Sequence, residues 1–151
     1  MLLRSFAEAD RASVVALWHE VGLTRPWNDP SKDIDRAVAT WPDLFLIAEE
    51  GAASGDDDGE GGGSAVVVGT ALCGYDGHRG WIYYLAVAPT HQGRGTGRAL
   101  IAEAESRLEA LGCPKAMLMV RRGNEKAHGF YGGSGYTEDE VVSFGKRLIA
   151  D

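Results

Sequence analysis

Gly93, Gly95 and Gly97 stand at alternate positions, with Gln92 before them and Arg94, Thr96 and Arg98 interleaved. Glycines let a backbone turn tightly and approach a ligand with no Cβ in the way. Two arginines in the same stretch add cationic side chains, unless they lie solvated at a helix start. The combination suits an anion held mainly by backbone N–H groups. Its neighbours say what must position it. Trp81 to Val87 is aromatic and β-branched without a charge, which reads as a buried strand. Pro89 stops the ladder, because proline has no N–H to donate. Leu100, Ala104, Leu108 and Leu111 then recur on one helical face. The unit is strand, glycine loop, helix. The first N–H groups of such a helix lack intrahelical partners and carry the positive end of its dipole, a good place for phosphate.

Two common phosphate motifs are excluded. A dinucleotide fingerprint needs G-x-G-x-x-G, and Arg98 falls where its last glycine belongs. A Walker loop ends in Gly-Lys-Ser/Thr, which is absent. The order Val87, Pro89, Gln92, Gly95, Gly97 instead resembles the acyl-CoA-binding motif V-x-P-x-x-(Q/R)-x-x-G-x-(G/A) of the GNAT family of N-acetyltransferases. Asn124, Ala127 and Tyr131, followed by Gly135-Tyr136, resemble that family's second signature, N-x-x-A-x-x-x-Y with a G-(F/Y) turn. On these two motifs the chain is identified as a member of the family, of the small single-domain bacterial type.

The resemblance implies an α/β (α+β) fold: a mixed, mostly antiparallel, twisted sheet of six or seven strands with helices on both faces. It implies that the fourth and fifth strands run parallel and splay apart around the pantetheine arm of acetyl-CoA. Leu85, Ala86 and Val87 would bond the pantetheine amides, and the backbone from Gly93 to Arg98, with Gln92 and Asn124, would hold the rest of the cofactor. Tyr131 falls at the family's general-acid position, where a hydroxyl meets the cofactor sulfur. The reaction implied is direct transfer of an acetyl group to a primary amine of a small molecule or a protein. No base is singled out among Glu49, Asp76, His78, Tyr83 and Tyr84. Met119 stands where relatives that acetylate ribosomal-protein N-termini carry a glutamate, so that narrower substrate does not follow. The competing readings are a CoA-binding regulatory module without turnover and an acyl-CoA hydrolase, the latter lacking a nucleophile elbow.

The rest of the chain supplies the frame. Its 151 residues suit one domain, 1–151, with a core of ordinary size. A net charge of −7 argues against nucleic acid, and no apolar run is long enough for a membrane span. The absence of a signal pattern and the widely spaced Cys73 and Cys113 point to a cytoplasmic protein with reduced thiols. Strands are expected at Leu2–Phe6, Leu44–Glu50, Ala65–Tyr75, Trp81–Val87, Ala116–Val120 and Val141–Ile149. Asp10 is read as the cap of a helix with Val14, Leu17, Trp18 and Val21 on its apolar stripe, ended by Gly22. Asp29-Pro30 opens a second helix running to about Thr40. Trp27 and Asn28 before it, facing the Asp76–Arg79 turn, are the expected acceptor wall. Gly51 to Ser64 reads as a flexible acidic loop. Its Asp56–Gly61 run imitates a calcium loop, but Val67 occupies the twelfth place where a glutamate is required, so no metal is expected. A single C-terminal strand would leave a sheet edge for a second subunit, a homodimer.

Overall fold

The computed structural model describes residues 1–51 and 65–151. The expectations for the acidic loop and its calcium-like run lie outside the described residues. Five strands form one sheet in the order β1 (Leu2–Ser5), β2 (Phe45–Glu50), β3 (Val66–Tyr75), β4 (Gly80–Val87) and β5 (Ala116–Leu118). The first four pair antiparallel, and β4 and β5 run parallel. The helices are α1 (Arg11–Glu20), α2 (Pro30–Thr40), α3 (Thr96–Ala110) and α4 (Glu125–Gly132). No described helix is long and apolar enough to cross a membrane.

Period-2 alternation decides which helices cover which face. On β2, Leu46 and Ala48 point into a core with Leu100, Ile101, Ala104 and Leu108 of α3. Their neighbours Phe45 and Ile47 point the other way, to Val14, Leu17 and Trp18 of α1 and Ile34 of α2. The sheet is therefore covered on both faces, which is why β2 reads as a continuous apolar run. Leu111 departs from the expected α3 stripe. The helix has already ended before Gly112, whose φ is +79°, and Leu111 is half-exposed.

Two caps illustrate how local chemistry was redirected. Asp29 behaves as expected: its carboxylate accepts from the N–H of Ser31 at 2.8 Å, with Pro30 opening α2. Asp10 does not cap α1 with its side chain. Its carboxylate turns back to the N–H of Ala7 at 2.8 Å and to the guanidinium of Arg4 at 2.7 Å, which also bonds Glu49 on β2. An ion pair across the sheet edge outcompetes a local cap here.

The count of six or seven strands is corrected to five among the described residues. Residues 141–149 join none of the described strands, and all are exposed. The expected β5 of five residues shortens to three, since only Ala116, Met117 and Leu118 pair with β4.

Candidate functional site

β4 is bonded on its two edges in different ways. Towards β5 the pairing stops after Ile82–Leu118, so from Tyr83 onward β4 presents no ladder partner on that side. Towards β3 the register shifts: Thr70 faces Ala86, while Leu72 faces Tyr83. The extra β4 residue makes a bulge, and Tyr84 sits in it at φ +50°, a region that costs a non-glycine residue about 1–3 kcal/mol. What holds it is buried Thr70. Its hydroxyl donates to the carbonyl of Tyr84 at 2.9 Å and accepts from the indole N–H of Trp18 at 2.9 Å. The Tyr84 ring stacks on Trp18 with centroids 3.9 Å apart. The bulge thus turns the last β4 residues relative to β3 while β5 falls away.

Beneath the free edge lies a cavity of about 570 Å³, the size of a small-ligand site. Leu85 and Val87 form one wall, and Phe130 and Tyr131 of α4 the other. Gln92, Gly93, Gly95, Gly97 and Arg98 line its floor, and Asn124 and Lys126 its rim. Gly93 and Gly95 have φ of +75° and +87°, so an L side chain at either is strained. Gly97 is a glycine for another reason. A Cβ there would lie 3.2 Å from the Phe130 ring, inside ordinary contact distance. Gly95 is the N-cap of α3 and offers no side-chain partner, so the first N–H groups of α3 remain for a ligand.

Three residues read from the sequence as cofactor contacts do not line this cavity with their side chains. Ala86 alternates to the α1–α2 core and is buried there. Thr96 is buried as well, its methyl close to Gly69 of β3. Arg94 is exposed and not among the lining residues. Two others are partly occupied. The Gln92 amide donates to the carbonyl of Val87 at 3.1 Å and accepts from Lys126 at 2.8 Å, clasping the loop to α4. Asn124 caps α4, accepting from the N–H of Ala127 at 3.1 Å and leaving its amide N–H groups free. His91 and Lys126 join the lining without having been foreseen; His91 contacts Glu50 at 2.8 Å. His91 lies inside the glycine stretch, but nothing in its spacing distinguished a lining histidine from a turn histidine.

Tyr131 is half-buried, its ring edge-on to Phe130 and to Tyr136. Desolvation raises its phenol above the ordinary value, so it is a protonated donor at neutral pH. Among the base candidates, Asp76 is consumed in its own turn. It accepts from the N–H groups of Arg79 and His78 and from the Trp81 indole, and these bonds hold its carboxyl at about 2. Glu49 is tied to Arg4 at 2.6 Å. Burial, and next the hydrogen bond to Asp33, push the Tyr84 phenol well above its usual range. Burial also raises Tyr83.

A second cavity of about 630 Å³ is lined by Trp27, Asn28, Asp33 and Arg36 on one side and residues 145–149 and Asp151 on the other. Tyr84 donates its hydroxyl at 2.7 Å to Asp33, which lines this cavity, while its neighbour Leu85 lines the first. Arg147 donates to Asn28 at 2.7 Å, and Arg36 pairs with Asp151 and, at 2.8 Å, with Asp33. The Asp76–Arg79 turn does not contribute to this cavity. It closes the opposite end of β4, where Gly80 donates to Lys115. Asp33 and the C-terminal residues had no sequence signal, because only tertiary structure brings them together. Among the described residues no cluster of His, Cys, Asp and Glu is arranged to hold a metal. Cys73 is buried, which pushes its thiol up to about 12.

The model of the acetyltransferase (GNAT) family matches residues 14–136. An acetyltransferase of Yersinia enterocolitica is 42% identical over 151 residues, covering 100% of this chain and 98% of its own. The solved structure of AAC(6')-Iy with the bisubstrate analogue CoA-S-monomethyl-acetylneamine superposes with a TM-score of 0.71 at 18% identity, covering 98% of both chains. The NatC complex bound to Gag peptide and CoA gives 0.69 at 24% identity, covering 87% of this chain and 81% of that one.

Proposed function

The chain belongs to the GNAT acetyltransferase family and is an acyltransferase, and from that premise we propose that it moves an acetyl group from acetyl-CoA to a primary amine by direct attack. The observation that carries the reading is the cavity under the unpaired edge of β4, floored by a glycine loop and the start of α3. The residues present fit the cofactor. The β4 edge from Leu85 to Val87, which no strand pairs, offers N–H and C=O groups to an amide-bearing arm, with the Val87 carbonyl already accepting from Gln92. The α3 N–H groups and Arg98 suit a pyrophosphate, and Gly97 leaves room that a Cβ would take. When bound, acetyl-CoA supplies the thioester whose acyl carbon the amine attacks.

The chain's own residues then divide the work. A backbone N–H of β4 hydrogen-bonds the carbonyl oxygen as charge develops on it. Tyr131 donates its phenolic hydrogen bond to the departing sulfur. Asp33, facing the second cavity beside Trp27 and Asn28, binds the acceptor's ammonium group; one proton passes to water to free the attacking lone pair, and the second, shed as the C–N bond forms and the C–S bond breaks, reaches the departing thiolate through water. The acceptor is a small-molecule or protein amine, and the setting is the cytoplasm. No step draws on a metal. Incubating the protein with acetyl-CoA and a panel of amines tests the reading. CoA release that requires an amine supports it; release without one, or none with any amine class, removes it.

A further inference from the structure

Asp151 lines the second cavity with a side chain that is only 6% exposed. Its carboxylate accepts from Nη2 of Arg36 and, at 3.3 Å, from the Asp29 N–H just ahead of α2. Arg36 above all, and then the Asp29 N–H and Lys32, hold the Asp151 carboxyl below its usual range, so it is an anion at neutral pH. The other guanidinium nitrogen of Arg36, Nη1, donates to Asp33 at 2.8 Å. One arginine therefore bridges an acid of its own helix and an acid 115 residues away.

Charge shows what the cavity suits. Arg36, Lys146 and Arg147 line it together with Asp33 and Asp151. Arg147 is bonded to the side-chain oxygen of Asn28, a neutral partner that leaves its charge uncancelled. With Asp151 displaced, three lining cations face the single carboxylate of Asp33. A polycationic amine would be repelled by every charged wall but that one.

We propose that Arg36 and the Asp29 N–H form an anion subsite, which Asp151 fills until a carboxylate of the acceptor takes its place. The inference rests on the second cavity being the acceptor's side of the reaction. The acceptor is then a small zwitterion with its carboxylate close to its amine, the chemistry of a free amino acid. Geometry sets that closeness. Nη1 and Nη2 share one carbon, so a carboxylate on Nη2 and an ammonium at Asp33 are near neighbours. A cavity of about 630 Å³ suits a ligand of that size. Exchange is easy because the Arg36 side chain is 47% exposed, and an ion pair in such a setting contributes little. An incoming carboxylate remakes both of the bonds that Asp151 gives up.

Amino acids and their carboxamides, compared at neutral pH with acetyl-CoA saturating, read the proposal. A carboxamide keeps the amine and loses the negative charge. Its amine is also the less basic, so chemistry alone favours it over the acid. kcat/KM should nevertheless favour the acids by about tenfold or more, the scale of a hydrogen bond to a charged group. In Arg36→Gln that preference should shrink to within about threefold. Asp151→Asn should lower the KM of the acids by roughly two- to fivefold, the scale of an exposed ion pair that no longer competes. Carboxamides used as well as acids by the wild type, a preference that survives Arg36→Gln, or a higher KM for the acids in Asp151→Asn overturns the proposal. So does better use of spermidine or of a peptide beginning with aspartate. If no amine is acetylated, the reaction fails as a reading and the subsite is still tested by melting temperature without acetyl-CoA. Millimolar amino acids should raise it in the wild type and not in Arg36→Gln. A rise in neither, or an equal rise in both, overturns the subsite.

Discussion

The cavity under β4 is assembled from two short stretches, 85–98 and 124–131, whereas the cavity beside Asp33 joins residues 27–36 to residues 145–151. The first is walled by packed rings and floored by backbone. Its shape follows from where glycines permit positive φ and from where α3 must start. The second is closed by the Arg36–Asp151 ion pair and by hydrogen bonds from Arg147 to Asn28 and from the Asp29 N–H to Asp151, between segments over a hundred residues apart. A site made of backbone and core is rigid and ready for one ligand. A site closed by exposed charged side chains is adjustable, since each such bond contributes little and can be exchanged for a bond to a ligand. That difference fits a fixed cofactor on one side and a variable acceptor on the other.

The contrast is broken most severely at Gly97. Glutamate there meets the Phe130 ring, 3.2 Å from where its Cβ must go, and sets a carboxylate against the phosphates. Acetyl-CoA affinity should fall at least ~100-fold, or about 2.7 kcal/mol, in a protein that keeps its fold. Calorimetry showing undiminished affinity would place the cofactor elsewhere. Tyr131→Phe comes next. The ring still packs against Phe130 and Tyr136, so only the hydroxyl is tested. A phenol near 10 and a thiol near 8.5 make full proton transfer uphill by roughly 2 kcal/mol. Burial raises the phenol further and widens that gap. In the proposed mechanism the hydroxyl therefore acts as a hydrogen-bond donor, and kcat should fall toward the low end of the ~10²–10⁴ range. The sign for pH follows: burial raises the Tyr131 phenol above its ordinary range, so it keeps its proton through neutral and mildly alkaline pH and adds no alkaline limb to kcat there. A loss below about threefold at saturating acetyl-CoA, far short of that range, would take Tyr131 out of the mechanism.

On the acceptor side the expected effects are smaller and of a different kind. Asp33→Asn and Trp27→Ala should each raise the amine's KM about tenfold, the order of one lost charge-assisted or aromatic contact, and leave acetyl-CoA affinity as it was. Loss of cofactor affinity in both would mean that the two cavities do not divide the substrates between them.

The same contrast explains what could be read without coordinates. The strand–loop–helix unit, the Asp29-Pro30 helix start and the α4 signature are each set within a few residues by backbone rules, and they were legible. Asp10 was misread because its partner Arg4 comes from a strand whose position the sequence does not state. The acceptor is expected between the Trp27–Asn28 loop and the Asp76–Arg79 turn, since turn residues advertise themselves; the second cavity instead sets Trp27 and Asn28 against residues 145–151, and Arg147 and Asp151 carry no local signature. Val141–Ile149 has strand composition and no strand. Composition records that a segment can form a strand, not that a partner strand lies beside it.

Tyr84 offers the finest test, because it is bonded to Asp33 of the second cavity and precedes Leu85 of the first. It stood among the base candidates, and its hydroxyl lies 2.7 Å from the Asp33 carboxylate. The direction of its shift argues against that role. Burial and then Asp33 itself raise the phenol, so Tyr84 gives a hydrogen bond at neutral pH and has no lone base form to accept a proton. In the proposed mechanism its hydroxyl holds Asp33 toward the acceptor, while its ring stacks on Trp18 beside the β4 bulge. Tyr84→Phe separates these roles, since the ring stays and the hydroxyl goes. The amine's KM should rise about threefold, the scale of one partly solvated hydrogen bond, with kcat nearly unchanged. A general base lost from this position would instead lower kcat by ~10²–10⁴. Steady-state kinetics with the amine varied at saturating acetyl-CoA tell the two apart, and a hundredfold drop in kcat would make Tyr84 the base.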